Sequence, residues 1–264
     1  MRRTAPVTLV CLLALTGCGG SSPAARSSLK TDAASALFAS AGRTTSAGSS
    51  HMQLTSTSHV GTQDVTISGG GDFSYATGDG SLSMVVKVAA TTLTLEERVV
   101  DKVLYLQIPG QPGWSKIDLA KLVGTSLESS ADPSSALQYL AGVGKDVSKV
   151  GTEKLDGVST THYRGTIDID RAAAKLGGVL GERLRKSVAQ LKISSFPFDA
   201  YLDDEGRMRK LVQHQEFEVK GEKATSETTL AFSDFGVKVS VTAPPAADVH
   251  DGSALLGAFG GTSS

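Results

Sequence analysis

Residues 81–108 read SLSMVVKVAATTLTLEERVVDKVLYLQI, and this texture sets the fold class. Leu82, Met84, Val86 and Val88 fall at every second position, Leu93, Leu95 and Val99 share a face after them, and Val103 to Ile108 is a nearly continuous apolar run. Such alternation puts apolar side chains on one face of an extended chain, and the turn residues between runs predict hairpins. Upstream, Met52, Leu54 and Val60 share one parity, followed by Val65 with Ile67 and Phe73 with Tyr75. Asp79-Gly80 is expected to be a two-residue turn with positive φ at both positions. His51 to Ile117 therefore predicts an antiparallel meander of about six strands. Another turn, Gly110-Gln111-Pro112-Gly113, delivers the single tryptophan, Trp114.

Outward from this meander the periodicity changes. Leu29 to Gly42 carries helical spacing, and Asp132-Pro133 opens a helix that buries Ala136, Leu137 and Leu140 before Gly142. Strands return over Val147 to Leu155 and Val158 to Ile169, joined by Asp156-Gly157. Asp170 then caps a helical stretch from Arg171 to Leu191, with Leu176, Val179, Leu180, Leu184, Val188 and Leu191 on one stripe. Strands over Phe198 to Leu202, Arg207 to Val219, Thr225 to Phe232 and Val237 to Val241 follow, then a weak helix from Asp248. This order predicts an α+β fold: one curled antiparallel β-sheet, a half-barrel of about ten or eleven strands, with helices across its concave face. The space between sheet and helices is where a ligand would lie.

The N-terminus predicts where the protein works. Arg2 and Arg3 precede an apolar run from Val7 to Leu15, and Leu15-Thr16-Gly17-Cys18 completes a lipobox. Residues 1–17 are expected to be a lipoprotein signal peptide, and Cys18 to carry a diacylglyceryl group that anchors the chain to the outer leaflet of the cell membrane. Residues 18–28 form a lipidated cysteine and flexible tether, residues 29–247 the domain, and residues 248–264 a C-terminal tail. Of the two cysteines, Cys11 leaves with the signal and Cys18 becomes a thioether, so no thiol remains for a disulfide, a metal or a nucleophile. The formal net charge of −1 gives no basis for nucleic-acid binding.

Catalytic patterns are missing from the sequence. His51 and His59, on one strand, would lie about 27 Å apart, too far for one metal. His162, His214 and His250 are isolated in sequence. Gly142-Val143-Gly144-Lys145-Asp146 lacks the spacing and the Ser or Thr of a phosphate loop, and Asp203-Asp204-Glu205 followed by Gly206 reads as a hairpin tip. No cofactor and no metal site is expected, and the protein is read as a non-enzyme. The predicted cavity lining is Met52, Leu54, Val65, Ile67, Phe73, Met84, Val86, Leu93 and Leu95 on the sheet, with Leu180, Leu184 and Val188 on the covering helix. Gly177, Gly178 and Gly181 each cost that helix about 1 kcal/mol relative to alanine, so it is expected to yield as a lid. Arg183, Arg185, Lys186 and Lys192 near its far end could meet anionic headgroups.

Four segments carry a family resemblance. Trp114-Ser115-Lys116-Ile117 comes first, then Gly157-Val158-Ser159-Thr160-Thr161-His162-Tyr163-Arg164-Gly165. Ala200-Tyr201-Leu202-Asp203-Asp204-Glu205-Gly206-Arg207-Met208-Arg209-Lys210 follows, and Asp234-Phe235-Gly236-Val237-Lys238-Val239-Ser240-Val241-Thr242-Ala243-Pro244-Pro245 comes last. In this order behind a lipobox, they resemble the LppX/LprG-type lipoproteins of actinobacteria and, more distantly, the LolA/LolB half-barrel. The resemblance implies a half-barrel around an apolar cavity that binds or carries acylated lipids or lipidated glycans across the cell envelope. It supplies no catalytic residues. The alternative is a binding or sensory lipoprotein that contacts another envelope protein without lipid cargo.

Overall fold

The computed structural model describes residues 32–121, 135–144, 146–189, 192–219 and 221–255. Helix α1 (Ala33–Thr45) begins where Asp32 accepts the Ser35 backbone N–H at 2.9 Å. Its buried stripe is Leu37, Ser40 and Thr44, and Thr44 Oγ1 accepts the buried Met208 N–H at 2.8 Å. A side-chain hydroxyl thus ties the helix to the sheet.

Six strands follow: β1 (Ser49–Val60), β2 (Gln63–Ser74), β3 (Gly80–Val88), β4 (Thr91–Val100), β5 (Val103–Gln107) and β6 (Trp114–Asp118). A short helix α2 (Ser135–Gln138) and a 3-10 turn, Tyr139–Gly142, precede β7 (Ser148–Leu155) and β8 (Val158–Asp168). Next come α3 (Ile169–Leu176), α4 (Gly178–Ala189), β9 (Ser195–Asp203), β10 (Met208–Val219), β11 (Glu222–Ser233) and β12 (Val249–Asp251). The described strands form one sheet in the order β12-β6-β5-β4-β3-β2-β1-β11-β10-β9-β8-β7. It is therefore two meanders, one running from β1 to β6 and one from β7 to β11, zipped together at β1 and β11. The sheet is curled and unclosed, as expected for the α+β half-barrel.

Turn chemistry and glycine placement explain much of this. Asp156 (φ 49°) and Gly157 (φ 81°) make the two-residue turn between Leu155 and Val158. Asp101 (φ 50°) and Lys102 (φ 64°) do the same between Val100 and Val103, here with no glycine. In β2, a Cβ on Gly69 would meet the Ser83 carbonyl oxygen, and one on Gly71 that of Ser81. Only hydrogen fits where β2 and β3 draw together on this face. Bare edge β7 carries Lys149 and Lys154 and a bulge between Lys149 and Gly151, which discourage pairing with another chain.

The helices cover one face of the sheet, called inner below. Met52, Leu82, Phe196, Phe198, Ala200, Leu211, Leu230 and Phe232 from that face join Leu37, Leu137, Leu140, Ala172, Ala173 and Leu184 in one core. A second cluster, Val99, Leu104, Leu106 and Ile117, lies under Leu255.

Several expectations need correction. The described residues hold twelve strands, and β12 pairs with β6 in parallel. Val237 to Val241 joins no ladder, and Asp248 closes a 3-10 turn, Ala246–Asp248, that leads into β12. Positive φ falls at Gly78 rather than at Asp79 and Gly80, because Gly80 already opens β3. The first helix ends at Thr45, past Gly42, since Gly42 keeps a helical backbone. The stretch from Arg171 to Leu191 is two helices: Gly177 (φ 64°) and Gly178 (φ 46°) leave the right-handed region between α3 and α4. Asp168, not Asp170, caps α3, accepting the Arg171 N–H at 2.7 Å. Asp132-Pro133 lies outside the described residues.

Candidate functional site

Directly opposed residues of antiparallel strands share a face, so the register aligns the inner-face side chains in rows. One row runs Phe232, Met52, Gly71, Leu82, Glu97, Leu106. The next runs Leu211, Leu230, Leu54, Gly69, Met84, Leu95. The third is Gln213, Thr228, Ser56, Ile67, Val86, Leu93, and the fourth is Gln215, Ser226, Ser58, Val65, Val88, Thr91. Phe73 lies in the same face beside Ser50 and Gly80. All nine strand residues proposed from parity therefore sit on the inner face.

Their burial differs along the rows. Met52, Phe73 and Met84 are buried, and Met52 belongs to the main core. Leu54, Val65, Ile67, Val86 and Leu95 are half-buried, and Leu93 is 42% exposed. The described helices thus seal the row through Met52 and Leu82, and those through Ile67 and Val65 keep an accessible apolar surface. Of the proposed helical residues, Leu184 is packed into the core while Leu180 is exposed, because the break at Gly177 and Gly178 interrupts the stripe. The Val188 side chain lies outside the described residues.

One glycine of α4, Gly181, has a packing role. A Cβ on Gly181 would meet the Ala173 carbonyl oxygen, so this glycine lets α4 press against the α3 backbone. Two of the four proposed headgroup cations already have carboxylate neighbours: Arg185 Nε lies 3.6 Å from Asp170, and Lys192 Nζ lies 3.1 Å from Glu218. The Arg183 side chain is outside the described residues.

The opposite, outer face holds a charged cluster that sequence spacing missed. His162 Nε2 lies 2.6 Å from Asp199 Oδ1, and Arg164 Nε donates to the same oxygen at 2.8 Å. His162 Nδ1 is 3.4 Å from Glu153, and His214 lies 3.8 Å from Asp199 and 3.3 Å from Glu227. The His162 ring stacks on Tyr201 at 4.4 Å. Burial works against the charge on Asp199, but hydrogen bonds from Arg164 and His162 outweigh it and hold the carboxyl below the usual range. His162 and His214 thus both face Asp199 from neighbouring strands and are not isolated residues. His250 is engaged too, with Nε2 2.9 Å from Ser115 Oγ. His51 and His59 each pair with a β2 aspartate, Asp72 at 2.7 Å and Asp64 at 2.6 Å. Beside the cluster, an open groove of about 760 Å³ is bounded mainly by Thr57, His59, Pro197, His214, Glu216 and Glu227.

Cys18 lies outside the described residues. Among those described, no helix is long and apolar enough to cross a membrane.

Comparison with known proteins agrees with this architecture. A family model, LppX_LprAFG lipoprotein, matches residues 32–241. An uncharacterized 31.2 kDa protein from the rplA-rplJ intergenic region of Streptomyces griseus is 29% identical over 158 residues, covering 56% of this chain and 50% of that protein. The chain thus spans about half the length of the curated relative it matches. Among solved structures, LprF from Mycobacterium bovis aligns at a TM-score of 0.50 with 17% identity, over 80% of this chain and 96% of LprF. LppX from Mycobacterium tuberculosis aligns at 0.49 with 17% identity, over 78% and 98%. The likeness to LprF is one of fold.

Proposed function

We propose that this chain, which belongs to the LppX_LprAFG lipoprotein family, binds an acylated lipid or glycolipid on the open half of its inner sheet face and carries it outside the cytoplasm. The observation that carries this reading is the run of incompletely covered apolar side chains through Leu54, Val65, Ile67, Val86, Leu93 and Leu95. A folded chain gains by burying such residues. Here the described helices leave them partly uncovered, so an apolar chain laid across the rows completes the burial. Each methylene removed from water contributes about 0.8 kcal/mol, so fit along the rows outweighs any single polar contact.

Under the same proposal, residues 1–17 are a signal peptide, Cys18 is lipidated and holds the protein to the outer leaflet, and residues 18–28 give the domain its reach. The role is binding and carriage, without catalysis. The outer groove supports a second reading, a docking surface for an envelope protein, since its rim combines His59, His214, Glu216 and Glu227.

Native mass spectrometry of the full-length protein, released from nonionic detergent, separates the two readings. Lipid cargo gives a stoichiometric adduct beyond the mass of the anchor, exchangeable with added acylated lipid. A protein that stays at its anchor mass when lipid is offered contradicts the carrier reading.

A further inference from the structure

The inner face is not apolar along its whole length. In the row from Gln213 to Leu93, side chains change from polar on β10, β11 and β1 to apolar on β2, β3 and β4. At the polar end, Ser56 Oγ lies 2.9 Å from Thr228 Oγ1, and in the next row Ser58 Oγ donates to Ser226 Oγ at 2.9 Å. These hydroxyls satisfy one another. Gln213 is different: it is only 5% exposed, and its Nε2 has no hydrogen-bond partner among the described residues. An unmet buried donor carries a desolvation cost that an acceptor would remove.

We propose that Gln213, with the Thr228 and Ser56 hydroxyls beside it, is the polar subsite of the lipid-binding face and takes an ester carbonyl oxygen at the head of an acyl chain. This rests on the lipid-binding reading above and adds what that reading lacks, a residue that selects cargo. Adjacent strands are about 4.8 Å apart, so Ile67 lies about 14 Å and Leu93 about 24 Å from Gln213 along the row. A chain whose carbonyl meets the amide therefore lays its methylenes over Ile67, Val86 and Leu93. The subsite selects an esterified rather than a free acid: among the described residues of the three rows beginning at Leu211, Gln213 and Gln215, none is lysine or arginine. A carboxylate there would be buried without a counter-charge.

The test compares diacylglycerol with its dialkyl ether analogue of equal chain length, and with the free fatty acid, as competitors for a fluorescent acyl probe on the full-length protein in nonionic detergent. The wild-type protein is expected to prefer ester over ether by about tenfold, as one good hydrogen bond allows, and to bind the free acid more weakly than the ester. Gln213→Met keeps the side-chain length and removes the donor, so the ester preference collapses to near unity while ether binding is retained. Its melting temperature is expected to equal or exceed that of the wild type, because the unmet donor is gone. Thr228→Val, which keeps the volume and removes a neighbouring hydroxyl, is expected to halve the preference or more. Equal binding of ester and ether by the wild type overturns the subsite and leaves the carrier reading intact, as does an ester preference that survives Gln213→Met. If neither lipid displaces the probe and the probe itself fails to bind, the carrier reading fails and the subsite with it.

Discussion

The two ends of the inner face carry similar residues on the same parity and meet different fates. Near Met52 and Leu82, helices lie over the sheet and the side chains are buried. Near Ile67, Val86 and Leu93 the same kinds of residue stay partly in solvent, next to a lane of serine, threonine and glutamine. One end supplies stability, and in the proposed function the other holds apolar surface for cargo. Alternation in a strand reports which face a side chain takes, while the cover over that face comes from chain far away in sequence.

Mutations break this contrast in order of expected effect. Phe198→Ala, at a fully buried position in the main core, is expected to cost about 3–5 kcal/mol in denaturant unfolding, from lost transfer energy and the cavity left behind. Thr44→Val keeps the shape of the α1 stripe but leaves the buried Met208 N–H without its acceptor, and is expected to cost about 1–3 kcal/mol in the same experiment.

Asp199→Asn on the outer face is expected to cost about 1 kcal/mol at neutral pH, a modest figure because its Arg164 partner is largely exposed. The Asp199 carboxyl titrates below its unfolded value. Its contribution is therefore fully present above about pH 4 and is lost as the pH falls through the lower folded-state pKa. Unfolding curves of wild type and variant should converge in that acid window, and a constant gap from neutral to strongly acid pH would rule out the charge as the cause. Val86→Asn at the open end is expected to change stability least, by under about 1 kcal/mol, since the side chain is already partly hydrated. Lipid affinity, read by probe displacement, should instead fall about tenfold. A large stability loss with unchanged lipid binding would reverse the roles assigned to the two ends.

How much of this the sequence discloses depends on the range of the interaction. Alternation at Leu82, Met84, Val86 and Val88 is local, so the strands and the face they share follow from the chain itself. Asp156-Gly157 is equally local and makes its turn as expected. The contact of β1 with β11 joins residues such as Met52 and Phe232, and no spacing rule reaches that far. For that reason the Gln213 row and the convergence of His162 and His214 on Asp199 become visible only once the register is known. The break at Gly177 and Gly178 escapes the helical periodicity for another reason. Those glycines count as a propensity penalty within one helix, whereas here their backbone ends α3 and opens α4. Gln213 itself leaves a faint trace, a polar residue on the apolar parity of Leu211 and Phe217.

The most direct test of the central claim is photo-crosslinking. A diacylglycerol with a diazirine at the end of one chain is bound to the full-length protein in nonionic detergent, irradiated, and the labelled peptides are mapped by mass spectrometry. Cargo on the open half of the inner face predicts labelling at Ile67, Val86 and Leu93, competed by unlabelled lipid and weakened by Val86→Asn. Labelling confined to outer-face residues such as His59 and Glu216, or labelling that unlabelled lipid does not compete, would contradict it.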